Sequence, residues 1–187
     1  MERELYEVMD WAAVEEIVYS ESADPHAILG PHKTDKGILV QAFFPGRDRV
    51  LLQRGKTKMP MELADESGFF ACLIPGEKES PRYQFILPEA DGSETVAEDP
   101  YRFMPELPEV ELRKFKAGES AAAHTFLGAH EKKMGGVSGI RFAVFAPNAM
   151  RVSVVGDFNN WDGRVHELRR MGDSGIFALF VPGVQPG

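Results

Sequence analysis

The sequence predicts a mainly β protein: two tandem β-sandwich modules with a short N-terminal helix, a linker helix between them, and a truncated second module. Three observations carry this prediction. Three sequence blocks recur in the same order at a spacing of about 100 residues. Each copy is rich in short apolar runs that stop at Pro or Pro-Gly. The second copy stops before the point at which the first is finished.

The repeat is read directly. His26-Ala-Ile-Leu-Gly-Pro-His32 returns as His124-Thr-Phe-Leu-Gly-Ala-His130, with four of seven positions identical. The run GILVQAFFPGRDRVLL from Gly37 returns as GIRFAVFAPNAMRVSV from Gly139, with six of sixteen identical. SGFFACLIPG from Ser67 returns as SGIFALFVPG from Ser174, with six of ten identical. The offset grows from 98 to 102 to 107, so the copies differ only by small loop insertions.

Taken in chain order, the first element is a helix over residues 11–19, with Asp10 as its cap and Val14, Ile17 and Val18 as its apolar stripe. Residues 38–44 and their copy 140–145 carry the β-branched and aromatic side chains that fit a pleated, half-buried surface. Both stop at a proline (Pro45, Pro147), which has no N–H to give a ladder. A polar turn then leads to strands over residues 49–52 and 151–155. The Ser-Gly pairs at 67–68 and 174–175 mark turns into further apolar strands. Tyr83, Phe85 and Leu87 alternate along another strand, and Asp91-Gly92 marks a hairpin turn. Short strands in units of about a hundred residues give an immunoglobulin-like sandwich. A second helix is expected from near Pro105 to just before Gly118, with Leu107, Val110, Leu112 and Phe115 on one face. The expected organisation is a first module over 1–104, a linker helix over 105–118 and a second module over 119–187. Copy one runs on past its Pro-Gly through residues 77–103, whereas copy two has four residues after Gly183. The expectation is therefore a second sandwich without its last hairpin, in a protein that continues past residue 187.

Composition narrows the function. A net charge of −8, spread along the chain, opposes nucleic acid and anionic membrane partners, both of which need a basic face. The first eighteen residues carry seven charges and do not read as a secretory signal, and no 18-residue apolar stretch is present. The single cysteine, Cys72, lies in an apolar run and reads as a buried thiol in a reducing cytoplasm.

The blocks ADPHAILGPH, AEDPYRF, HTFLGAH, RFAVFAPNAMRVSVVGDFNNWDGR and SGIFALFVPG resemble the tandem N-terminal modules of bacterial 1,4-α-glucan (glycogen) branching enzymes. The FAPNA…VSVVGDFNNWDG pattern is shared with starch- and glycogen-binding modules more widely. The DPYRF tail joined to HTFLGAH is what points to branching enzymes. The resemblance implies that α-glucan (glycogen or starch-like chains) is the partner, and that a catalytic barrel lies downstream in the same polypeptide. It implies a parent enzyme that cleaves an α-1,4 link and transfers the chain to a 6-hydroxyl. No catalytic residue, cofactor or metal transfers onto this chain. The rivals are the same modules in a debranching enzyme and a free-standing β-sandwich scaffold.

Trp161, in the turn-dense segment GDFNNWDG, is the candidate platform for the apolar face of a glucose ring, with Asn159 and Asn160 as hydroxyl partners. The competing reading is that Trp161 folds down onto the sandwich and fixes the loop. Copy one has QRGKTKMP at this place, with no aromatic residue. The pairs His26/His32 and His124/His130 have a spacing unlike zinc ligands and read as structural. His166 is expected to be exposed, AEDP at 97–100 to cap a turn, and Trp11 to be core or interface.

Overall fold

The computed structural model describes residues 3–185 and divides between Arg102 and Phe103 into two compact units, with the short stretch Ala23–Pro25 grouped with the second. Three four-stranded antiparallel sheets make up the β-structure.

The first unit opens with helices α1 (Arg3–Val8) and α2 (Trp11–Val18). The Asp10 side chain accepts from the amide of Ala13, the capping contact expected of Asp before a helix. Eight strands follow: β1 (Gly30–Lys33), β2 (Gly37–Phe43), β3 (Leu51–Arg54), β4 (Thr57–Pro60), β5 (Glu62–Asp65), β6 (Phe69–Pro75), β7 (Gln84–Pro88) and β8 (Glu94–Ala97). They form sheets of order β1-β2-β6-β5 and β4-β3-β7-β8. Between the sheets lies one core, made by Ile38, Val40 and Ala42 of β2, Phe70 and Ile74 of β6, Leu52 of β3, and Tyr83, Phe85 and Leu87 on and beside β7. Cys72 belongs to that core and is buried. The outward face of β2 and β6 is also buried, at Leu39, Phe43, Phe69 and Ala71, which is why β2 reads as continuous apolar sequence rather than alternation.

Asp99 locks the end of this unit. Its carboxylate accepts from Tyr83 Oη (2.5 Å) and from the Tyr101 amide (2.9 Å), so the AEDP segment does cap a turn, Pro100–Arg102. Burial pushes the Asp99 carboxyl up to about 6 against the pull of the Tyr83 hydroxyl.

The second unit has helix α3 (Glu109–Lys116) and strands β9 (Gly128–Met134), β10 (Val137–Phe145), β11 (Arg169–Arg170) and β12 (Ile176–Pro182), in sheet order β11-β12-β10-β9. The helix starts later than the Pro105 expected from sequence, with Pro108 at its N-cap. Leu107, Leu112 and Phe115 pack on Phe126, Ala143, Ile176 and Ala178, so α3 covers this unit's own sheet.

The two units repeat each other more closely than the sequence blocks show. β2 and β6 pair from Gly37↔Pro75 to Phe43↔Phe69, and β10 and β12 pair from Gly139↔Pro182 to Phe145↔Ile176. A Cβ on Gly37 would stand 2.2 Å from the Ile74 carbonyl oxygen, and one on Gly139 would stand 2.4 Å from that of Val181. Both positions admit only glycine. His32 Nε2 donates to the Leu29 carbonyl (3.0 Å) and His130 Nε2 to that of Leu127 (2.8 Å), so the second histidine of each pair closes its own turn.

One expected strand is not formed. Residues 151–155 carry a single bridge, Ser153↔Glu167, and amide bonds from Val154 to His166 and from Leu168 to Val152. In the first unit the corresponding strand β3 is flanked by β4 and β7. The described residues of the second unit provide no such pair of neighbours, and a single strand cannot hold a ladder alone. Side chains on that face are correspondingly open: Val144, Val155 and Phe158 are each 40% exposed, whereas Ala42, the counterpart of Val144, is 5% exposed.

Candidate functional site

The segment from Gly156 to Arg164 folds as a tight loop beside β10. Gly156 is extended there, and a Cβ on it would lie 2.6 Å from Phe158 Cε1, so the glycine lets the phenyl ring fold back over the chain. Phe158 then stacks on Phe142 of β10 (centroids 6.4 Å apart, planes 20° apart) and meets His166 edge-on. A 3-10 turn, Asp157–Asn159, follows.

Asn159 is buried, and its amide organises the loop from inside. Oδ1 accepts from the Gly156 amide (2.9 Å), and Nδ2 donates to the Val154 carbonyl (2.9 Å) and to His166 Nδ1 (3.0 Å). The bond to Nδ1 needs a neutral imidazole, and burial lowers the His166 pKa to about 4, which keeps it neutral. His166, expected to be exposed, is instead a half-buried strut beneath the loop. Next to it Glu167 is 3% exposed and pairs with Arg151 (3.0 Å); burial still raises its carboxyl to about 7. Arg151 also donates to the Gly163 carbonyl. Arg164 donates through Nε, Nη2 and its amide to Asp162, and the side-chain bonds hold the Asp162 carboxyl below its usual range.

On this scaffold stand Asn160 and Trp161, both in the left-handed region with φ of 52° and 59°. Asn tolerates that region, but a bulky residue such as Trp161 there is an outlier that costs on the order of 1 kcal/mol. Trp161 ends up 67% exposed, its indole Nε1 donating to Asp157 Oδ1 (2.9 Å) and its amide to the Gly156 carbonyl (3.0 Å). The indole therefore projects with its N–H already satisfied, leaving apolar ring surface to solvent. Of the three residues singled out from sequence, Trp161 and Asn160 are exposed at the loop tip, while Asn159 lies beneath them. The sequence singles out neither Asp157 nor Phe158, and it places His166 in solvent rather than beneath the loop. The spacing of four between Asp157 and Trp161 was the available clue to the first; the packing of the other two is set by β10 and has no local signal.

In the first unit the same place is the β3–β4 hairpin, turning at Gly55 (φ 56°) with Lys56 and Thr57 and no aromatic side chain. Among the described residues no group of three or more His, Cys, Asp and Glu is arranged to hold a metal ion, and no helix is long and apolar enough to cross a membrane.

Comparison with known proteins gives a consistent picture. Residues 10–101 match the family described as the alpha-1,4-glucan branching enzyme GlgB, N-terminal domain. Residues 126–187 match carbohydrate-binding module 48, the isoamylase N-terminal domain. Among solved structures, a pullulanase type I from Bacillus subtilis str. 168 complexed with maltose aligns at 17% identity over 82% of this chain and 21% of that one, with a TM-score of 0.21. The chain thus spans about a fifth of that protein's length, and a likeness so slight carries no weight. Together the two matches show a chain similar to the N-terminal modules of a glycogen branching enzyme, its first unit matching that enzyme's N-terminal domain and its second a carbohydrate-binding module 48.

Proposed function

We propose that this chain is the non-catalytic N-terminal part of a cytoplasmic glycogen-branching enzyme, and that its second unit holds α-glucan through Trp161 while a catalytic domain of the same polypeptide carries out the transfer. The observation that carries the reading is an indole 67% exposed on a backbone turn with two consecutive left-handed residues, braced from below by a buried asparagine. An exposed, rigidly mounted aromatic ring is suited to the C–H face of a pyranose. Strain of this kind is retained where it positions a functional group. The two family matches supply the substrate class. A single cysteine, buried as a free thiol, supports a reducing compartment.

In this reading Asn160 stands at the edge of the platform, and Asn159 serves the sugar indirectly by fixing the loop. The first unit, with no aromatic residue at the equivalent hairpin, has a structural or chain-positioning role rather than binding glucan there.

The test is retention on glycogen. Trp161→Ala should weaken retention roughly tenfold, about 1.4 kcal/mol, while the far-UV spectrum and melting temperature stay unchanged because the side chain is exposed. Retention equal to that of the parent chain would remove Trp161 from the binding surface.

A further inference from the structure

We propose that the second unit has another sugar site, a cleft on the face of β10 opposite the Trp161 loop, which takes one pyranose ring, as at the end of an α-glucan chain. Side chains alternate along a strand, so Phe142, which carries the loop through Phe158, and Phe145 point to opposite faces. The cleft, about 240 Å³, lies on the Phe145 side. That volume is below the ~300 Å³ at which clefts for drug-sized ligands begin, and it suits a single ring.

The floor is Phe145, 47% exposed and held by an edge-on contact from Phe115 of α3 at 5.0 Å. Its counterpart in the first unit, Phe43, is 5% exposed, so the first unit has no such floor. Gly175 keeps the floor open: its φ is +73°, and a Cβ there would lie 2.9 Å from Pro147 Cβ and 3.0 Å from Phe145 Cε2. On the rim, Arg170 donates through Nη2 to the Pro147 carbonyl (3.1 Å) and rests 5.5 Å over the Phe177 ring. Asp173, 84% exposed at its side chain, forms an ion pair with Lys116.

An aromatic floor with a carboxylate, a guanidinium and an ammonium on its rim is matched by a neutral polyol. The ring's C–H face covers the phenyl group, and its hydroxyls donate to Asp173 and accept from Arg170 and Lys116. A wholly apolar ligand would bury those charges without replacing their water. An anion would meet the Asp173 carboxylate. The choice of α-glucan over other pyranosides rests on the function proposed above.

The experiment is an NMR titration of the whole chain with methyl α-glucopyranoside and with maltotriose. Both sugars should shift the Ser174 and Gly175 amides and the Phe145 ring signals, and these shifts should persist in Trp161→Ala. Asp173→Ala, at an exposed position with little structural cost, should raise the dissociation constant for the cleft about tenfold, the effect of losing a hydrogen bond to a charged group. Movement of the Trp161 indole signal with no change at 145, 174 and 175 would overturn the cleft and leave the proposed function standing. Cleft shifts with a silent Trp161 would support the cleft and overturn the Trp161 platform. Shifts with maltotriose but none with the methyl glucoside would overturn the single-ring site.

Discussion

Beneath the Trp161 loop, two adjacent residues are pushed in opposite directions by the same burial. His166 is held neutral, with a pKa of about 4 in place of 6.5, so its contribution to stability is present above pH 6.5 and is lost as pH falls towards 4. Glu167 is raised from 4.5 to about 7, so its contribution is present below pH 4.5 and is lost as pH rises through 7. Between pH 4.5 and 6.5 the two slopes oppose each other. Glu167→Gln removes one of them, and the second unit should then gain on the order of 2 kcal/mol between pH 4 and 6.5, while the parent chain stays nearly flat. Amide exchange of β10 and β12 against pH reads this out; a flat profile in the variant would contradict it. Trp161→Gly tests the strain itself. Glycine adopts a φ of 59° without penalty, so stability should be unchanged or up to about 1 kcal/mol higher while glycogen retention falls. A clear loss of thermal stability would mean that the indole holds the loop together rather than being displayed by it.

The helix–strand register repeats at the level of elements in a way that residue identity hides. Helix α2 begins at Trp11 and α3 at Glu109, an offset of 98, the same as that between the two histidine blocks. Val14 and Ile17 are thus the counterparts of Leu112 and Phe115: in each unit they are the apolar pair of an eight-residue helix. From sequence this helix is expected as a linker over residues 105–118. In the structure Leu112 and Phe115 rest on Phe126 and the β10–β12 core, so the helix packs on the second unit. Gly139 gives the sharpest test at this scale. Any side chain there meets the Val181 carbonyl oxygen at 2.4 Å, so Gly139→Ala should destabilise the second unit by about 1–3 kcal/mol, the range for a forced clash. Chemical denaturation followed through signals of the second unit measures it, and an unchanged midpoint would refute the constraint.

At the scale of the whole molecule, the proposed division of labour leaves this chain holding glucan without transforming it. Incubation with amylose should produce no new α-1,6 links, and their appearance by debranching assay would refute that division. Much of the architecture was legible beforehand. The order of the repeats, the strands that stop at prolines, the Asp10 cap and the hairpin at Asp91-Gly92 are local, because each depends on the conformational limits of residues adjacent in the chain. That Trp161 lies in a turn was legible for the same reason, since Gly, Asn and Asp around an indole favour one, but whether its ring faces solvent or folds down onto the sandwich was not. Two further features were decided only by tertiary structure. Residues 151–155 have a strand-like sequence, but a ladder requires neighbours, and within the described residues the segment has a single bridge. His166 and Asn159 look like solvent-facing polar residues until the fold places one beneath the other, where burial and a shared hydrogen bond turn them into the support of the loop. Sequence alone determined the repeating units, through short-range backbone chemistry; pairing and desolvation, which depend on residues far apart in the chain, decided which side chains hold the loop and which remain to meet a ligand.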